Sequence, residues 1–183
     1  MAPVVAMFGL SGVGKGWIAS QLSAQRPEVL HLEASALMRA AMRTTGEALR
    51  TAPADVVRDN QAKLVATFQI AREAAPDRPV LFDGHSIIDN DQQLVDVPLS
   101  AVAGLAPNLV AFVHDDPVAL RARRLADARF RPDRSVETLA HQQARAEAVA
   151  RNYAIELKVP FLRLEAGDWR ALNHAFDGLV RLG

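Results

Sequence analysis

Apolar runs and helically spaced apolar positions alternate along this chain. "VVAMF", Val4 to Phe8, is a short unbroken apolar stretch that stops at Gly9, the pattern of a strand covered on both faces. From Lys15 to about Gln25, Ile18 and Leu22 stand four apart, which predicts a helix. "EVLHL" (28–32) predicts a second strand. Residues 33–43 and 54–75 carry helical patterns broken by "TTGE" and by Pro53. "RPVLFDGH" (78–85) predicts a third strand with a polar tip. Residues 86–98 follow neither period and are expected to be irregular, with a short helix before Pro107.

"NLVAFVHDD" (108–116) predicts a fourth strand, and Asp116-Pro117 then suits a helix start, with Asp as N-cap and Pro in the first turn. The helical pattern breaks at Pro132 within the arginine-rich "ARRLADARFRPDR" (122–134). Ser135, with Glu137 close behind, opens a long helix to about Leu157; "VPFLRL" (159–164) predicts a fifth strand, and a last helix runs to Gly183. Strands alternating with helices predict an α/β architecture, a five-stranded parallel sheet with helices on both faces. In such sheets ligands gather at the carboxyl ends of the strands. Four of the five predicted strands end in Gly, Glu, Asp or His, in keeping with a site there. At 183 residues, one domain spanning 1–183 is expected.

Composition narrows the classes. With no cysteine, disulfides and thiolate metal sites are excluded, which fits a reducing compartment. The formal net charge is zero, so no broad attraction to nucleic acid or to an anionic membrane is expected. No apolar run reaches 18 residues, and "MAPVVAMFG" lacks the basic start and cleavage site of a signal peptide, so a cytoplasmic location is expected. Of the 21 basic residues only Lys15, Lys63 and Lys158 are lysine. Arginine suits phosphate oxygens, though a GC-rich genome gives the same bias.

The chemistry begins at "GLSGVGKG". Gly9, Gly14 and Lys15 fit G-x-x-x-x-G-K, with a strand before and a helix after. Such a loop turns backbone N–H groups inward, here those of Gly12, Val13, Gly14, Lys15 and Gly16, and the helix N-terminus adds positive potential. Lys15 would reach the β- and γ-phosphates of a nucleoside triphosphate. The next position usually carries the Ser or Thr that holds magnesium, and here it is Gly16.

Three further segments share an order and spacing with the first: "LHLEASALMRAAMRTTGE", "VLFDGHSIID" and "LRARRLADARFRPDRSVETLAHQQAR". Together the four resemble the nucleoside monophosphate kinases, most of all the short archaeal-type adenylate kinases, over nearly the whole chain. The resemblance implies a three-layer P-loop NTPase fold with acceptor-binding helices over 33–75 and a short arginine-rich lid over 121–134. It also implies ATP and Mg2+ as partners. G-x-x-G-x-G-K-G is similar to the adenylate kinase loop, in which magnesium is held mainly by phosphates and water. Trp17 departs from the pattern, since those enzymes usually place there a Thr that touches the α-phosphate. Backbone groups would then make that contact, with the indole serving as packing.

By the same resemblance, Arg39 matches the arginine that grips the acceptor phosphate, with Ser35 and Glu33 near the corresponding turn and Arg58 a weaker candidate. Asp83 would orient magnesium through water, and His85 would contact the acceptor's phosphate or base. Arg129 and Arg131 match the lid's R-x-R, Arg145 the arginine on the helix beyond, and Arg123 the arginine that lies over adenine. His31, His114, His141 and His174 have no paired spacing and are read as structural, and "HDD" (114–116) as a helix cap rather than a metal site.

The expected reaction is transfer of the γ-phosphoryl of ATP to a nucleoside monophosphate, AMP being favoured by resemblance alone. Two other readings stay open. One is a P-loop phosphotransferase acting on a small-molecule hydroxyl, with Asp83 or Glu33 as base. The other is a nucleotide-binding regulator with weak catalysis. The oligomeric state is not legible in the sequence.

Overall fold

A computed structural model describes residues 2–127 and 131–181. Its centre is a five-stranded, all-parallel sheet built from β1 (Val4–Phe8), β2 (Leu30–Glu33), β3 (Val80–Asp83), β6 (Leu109–His114) and β7 (Phe161–Glu165), in the order β2-β3-β1-β6-β7. β1 is buried along its whole length, as its unbroken apolar run requires of a central strand between two helical layers.

The helices are α1 (Lys15–Gln25), α2 (Ala34–Met42), α3 (Gly46–Arg50), α4 (Ala54–Glu73), α5 (Leu99–Gly104), α6 (Pro117–Ala126), α7 (Val136–Leu157) and α8 (Trp169–Arg181). α1 packs on α8, while α2, α4, α5, α7 and α6 follow one another in a contiguous row. Ile18 and Leu22 of α1, Phe68 of α4, Leu139 of α7 and Phe176 of α8 are all buried in one apolar cluster with the sheet. Caps place several boundaries where the sequence put them. Asp116 Oδ1 accepts from the N–H groups of Val118 and Ala119 at the start of α6, and Ser135 Oγ from Thr138 at the start of α7.

Residues 86–98 depart from expectation. They contain a two-stranded antiparallel hairpin, β4 (Ile87–Asp89) and β5 (Leu94–Asp96). Its strands are too short to show a period of two. Buried Asn90 closes the tip by accepting from the N–H groups of Gln92 and Gln93, and its side chain donates to the carbonyl of Ala52 at 3.0 Å. Val95 packs with Ala52 and Val57, fastening the hairpin to the base of α4. The "TTGE" break also holds a helix of its own, α3, capped by Thr45.

Strand order reverses at β1. Its successor β2 lies two places to one side, and β6 is its neighbour on the other. The loop leaving β1 therefore opens at a topological switch point, where such sheets bind ligands. In register, Met7 of β1 and Glu33 of β2 flank Asp83 of β3, so three strand ends bring chemistry to one edge.

Candidate nucleotide and acceptor site

The loop after β1 is shaped for an anion. Gly12 and Gly14 take positive φ of 86° and 103°, conformations that strain any residue with a Cβ. A Cβ on Gly12 would also stand 2.8 Å from Cγ of Arg124. Gly14 is the N-cap of α1 and supplies no side-chain cap, and the first turn holds no acidic residue. The positive end of this helix is thus left open to an incoming phosphate. One expected donor is already in use: the N–H of Val13 donates to the carbonyl of Leu10 at 3.2 Å. At Gly16 an added Cβ would meet nothing within 4 Å, so no steric need excludes a hydroxyl residue there. Trp17 is 50% exposed, which contradicts the expected packing role; its position on the first turn of α1 turns the indole outward.

Lys15 is buried and folded back on the loop, donating to the carbonyls of Gly9 at 3.1 Å and Leu10 at 3.3 Å, with Oδ1 of Asp83 3.8 Å away. Burial by itself would raise the pKa of Asp83. The charge of Lys15, aided by His31 and His85, more than offsets that, so the carboxyl lies below its usual value and is ionised. His31 Nε2 stands 3.9 Å from Asp83 Oδ2, so a histidine read as structural borders the site.

His85 Nδ1 lies 2.8 Å from the carbonyl oxygen of Gly9. A carbonyl only accepts, so Nδ1 carries the proton and Nε2 is left with its lone pair. Burial first, and then the charge of Lys15, pull the pKa of His85 down to about 4, so the imidazole is neutral near pH 7.

Described arginines of the 121–134 segment reach the loop and the hairpin. Arg123 donates to the Gly12 carbonyl at 3.2 Å and to Asp115 at 2.6 Å. Arg131 donates to Ser11 Oγ at 3.0 Å and lies 2.7 Å from Asp127. Arg134 holds Asp89 of the hairpin with two hydrogen bonds of 3.0 Å, and Gln142 of α7 donates to the same carboxylate. Burial by itself would raise the pKa of Asp89, but the hydrogen bonds from Arg134, Gln142 and the Asp91 N–H more than offset it, so the carboxyl lies below its ordinary value and is ionised. Arg129 lies outside the described residues.

Arg124 is the residue that sequence reasoning passed over. Its stem covers Gly12, and its Nε and Nη1 are buried with no hydrogen-bond partner among the described residues. Burial and then the nearby Arg131 hold its pKa below the ordinary arginine value. One of six arginines in 121–134, it has no sequence signal that separates it from its neighbours; only packing marks it.

Beside the loop lies a cavity of about 510 Å3 between the sheet edge, α2, α4, α5 and the hairpin. Its walls are largely apolar, including Phe8, Met38, Leu64, Phe82, Val97, Val102 and Leu105, with Ser11 at the loop side. Ser35, Arg39 and His85 line it, as do Arg124 and Arg131. Arg39 donates to Ser35 Oγ at 3.1 Å, and Ser35 in turn donates to the Glu33 carboxylate. Arg145 stands apart, paired with Asp96 of β5 at 2.8 Å and absent from the cavity wall, as is the exposed Arg58. The structure therefore brings together Lys15, Asp83, His85, Arg123 and Arg131 around the loop, and Ser35 and Arg39 beyond it.

For magnesium the donor set is thin. Among the described residues no group of three or more His, Asp or Glu could hold a metal ion. An ionised Asp83 beside Lys15 fits an ion that arrives on a nucleotide and keeps its water, since Mg2+ commonly takes one carboxylate plus phosphate oxygens. Among the described residues no helix is long and apolar enough to cross a membrane.

Sheet order, glycine loop and lysine define a P-loop protein of kinase-like, three-layer α/β fold. Residues 8–140 match the family model described as an AAA domain, and the chain belongs to that family. The fold is similar to that of shikimate kinase from Bacteroides thetaiotaomicron, with a TM-score of 0.56 and 14% sequence identity over 98% of this chain and 97% of that one. No curated protein matches the sequence.

Proposed function

We propose that the protein transfers the γ-phosphoryl group of ATP to a nucleoside monophosphate, with AMP the favoured acceptor. The observation that carries this is the cavity of about 510 Å3 next to the loop, lined mostly by apolar side chains and also by Arg39, Arg124 and Arg131. Its volume falls within the usual range for pockets that enclose ring-bearing ligands. A largely apolar lining suits a nucleobase, and the arginines suit the phosphate that receives the transferred group. The α1 N-terminus and Lys15 take the donor's phosphates, and Arg123 flanks that loop.

The acceptor atom would be a phosphate oxygen, already anionic, so no strong base is needed. The work of the protein is to set two polyanions in line and offset their repulsion. Magnesium, when bound, would shield the donor's β- and γ-oxygens, with Asp83 the side chain placed to hold its water. Arg131, tied to Ser11, and Arg124, packed on Gly12, place positive charge between donor and acceptor. Arg123 on Gly12 and Arg131 on Ser11 also cover the loop, which would limit loss of the phosphoryl group to water.

A second reading has specific support. Glu33 lines the cavity, and His85 offers a neutral imidazole with a free lone pair, so either could take a proton from a hydroxyl acceptor. The test is a coupled assay with ATP and AMP, CMP, UMP, GMP or dTMP, with shikimate included because the solved neighbour bears that name. Turnover of a monophosphate supports the first reading. Turnover only of a hydroxyl compound supports the second. ATP binding with no transfer to any acceptor points to a regulator.

A further inference from the structure

The cavity contains one amide that the protein itself does not use. Asn60, on α4, keeps only 5% of its surface exposed and lines the cavity. Its carboxamide makes no hydrogen bond among the described residues, yet neither of its polar atoms is sealed off by neighbours. The other buried amides are all engaged. Gln61 donates to the Val57 carbonyl at 2.8 Å, and Gln142 to Asp89 at 2.9 Å. Gln143 both accepts from Asp115 N–H at 3.0 Å and donates to its carbonyl at 2.7 Å, and Asn90 donates to Ala52 at 3.0 Å.

Open to the cavity but paired with no group among the described residues, the amide is free to bond a ligand that displaces water from it, and a ligand that fills the cavity without pairing it would leave it unsatisfied. From this we infer that Asn60 recognises an uncharged polar edge of the acceptor. An amide presents an acceptor oxygen beside donor N–H groups, so it matches a ring edge that carries a donor next to an acceptor. Asn pairs with the N6/N7 edge of adenine in just this way. The anionic end of the same ligand belongs to Arg39, Arg124 and Arg131, and Met38, Val57, Leu64 and Leu105 take its faces. The acceptor is thus amphipathic, with a flat heterocycle whose polar edge is neutral, joined to a phosphate. This rests on the monophosphate reading and adds the residue that chooses among bases.

The experiment compares wild type with Asn60→Leu, which keeps the branched outline of the side chain and removes the amide. KM is measured for each of five monophosphates and for ATP, binding of ribose 5-phosphate is measured as a base-free control, and the melting temperature is recorded. The expected result is a KM for AMP at least ten-fold higher, ribose 5-phosphate binding and the KM for ATP within two-fold of wild type, and an unchanged or raised melting temperature. Should Asn60→Leu not fold, Asn60→Ser gives the same readout, since its short hydroxyl cannot make the paired contact. Unchanged KM values and an unchanged ranking of bases would overturn the role of Asn60 and leave the kinase reading standing. An equal loss for AMP and ribose 5-phosphate would also overturn it. If wild type turns over no monophosphate, the monophosphate reading fails and this inference fails with it.

Discussion

Arg124 sets stability against activity, and replacing it by methionine separates the two. Methionine keeps a flexible apolar stem over Gly12 while removing the guanidinium. In the empty protein, Nε and Nη1 of Arg124 are buried with no hydrogen-bond partner among the described residues, and Arg131 adds a like charge nearby. Each unsatisfied buried donor costs about 1–3 kcal/mol, so even partial relief stabilises the substitution by about 1–3 kcal/mol. For a chain of this size that corresponds to a rise in melting temperature of about 2–12 °C. With substrates bound the same group pairs with phosphate oxygens, and a charge-assisted hydrogen bond is worth about 1.5–3 kcal/mol. Its loss lowers kcat/KM by about 10- to 150-fold. Thermal melts with and without ATP, alongside coupled kinetics, give both numbers on one preparation. A lower melting temperature for Arg124→Met, or a fall in kcat/KM of less than about three-fold, would refute the reasoning that this arginine is held ready for an anion.

Other expectations follow from the same geometry. Arg39→Ala should raise the KM for the acceptor by about ten-fold or more and leave that for ATP nearly unchanged, because Arg39 lines the acceptor cavity and not the loop; equal rises would remove it from the acceptor site. The depressed pKa of His85, about 4 against an ordinary value of 6.5, means that the unfolded chain takes up this proton first as pH falls. Its contribution to stability is therefore full above pH 6.5 and lost progressively down to about pH 4. His85→Asn should flatten urea-derived stability across that window, and an unchanged slope would show that another group is responsible. Gly16→Ser should fold as well as wild type, since a Cβ there meets nothing within 4 Å, and should lower the magnesium concentration needed for half-maximal rate. A destabilised variant, or an unchanged magnesium dependence, would count against a water-held ion at this loop.

Much of the fold was legible because the local pattern and the tertiary outcome agree. The apolar run of β1, the Gly9-to-Lys15 loop and the Asp116 and Ser135 caps each owe their structure to neighbours in sequence. The phosphate roles expected of the arginines came from the resemblance to nucleoside monophosphate kinases, not from local pattern. The hairpin over Ile87–Asp96 was not legible. Its three-residue strands carry no period, and it is held by Asn90 on Ala52 and by Arg134 and Gln142 on Asp89, partners up to 53 residues away.

By itself, then, the sequence determined the parallel sheet, the anion-binding turn and the supply of cations, since each rests on backbone propensity or on residue type. Only the tertiary structure decided where those cations lie and what they pair with. It tied Arg145 to Asp96, turned Trp17 to the surface, left Nε and Nη1 of Arg124 buried with no partner among the described residues and set Asn60 on the wall of a largely apolar cavity. Burial and pairing are properties of packed neighbours brought from distant parts of the chain, and no local pattern encodes them.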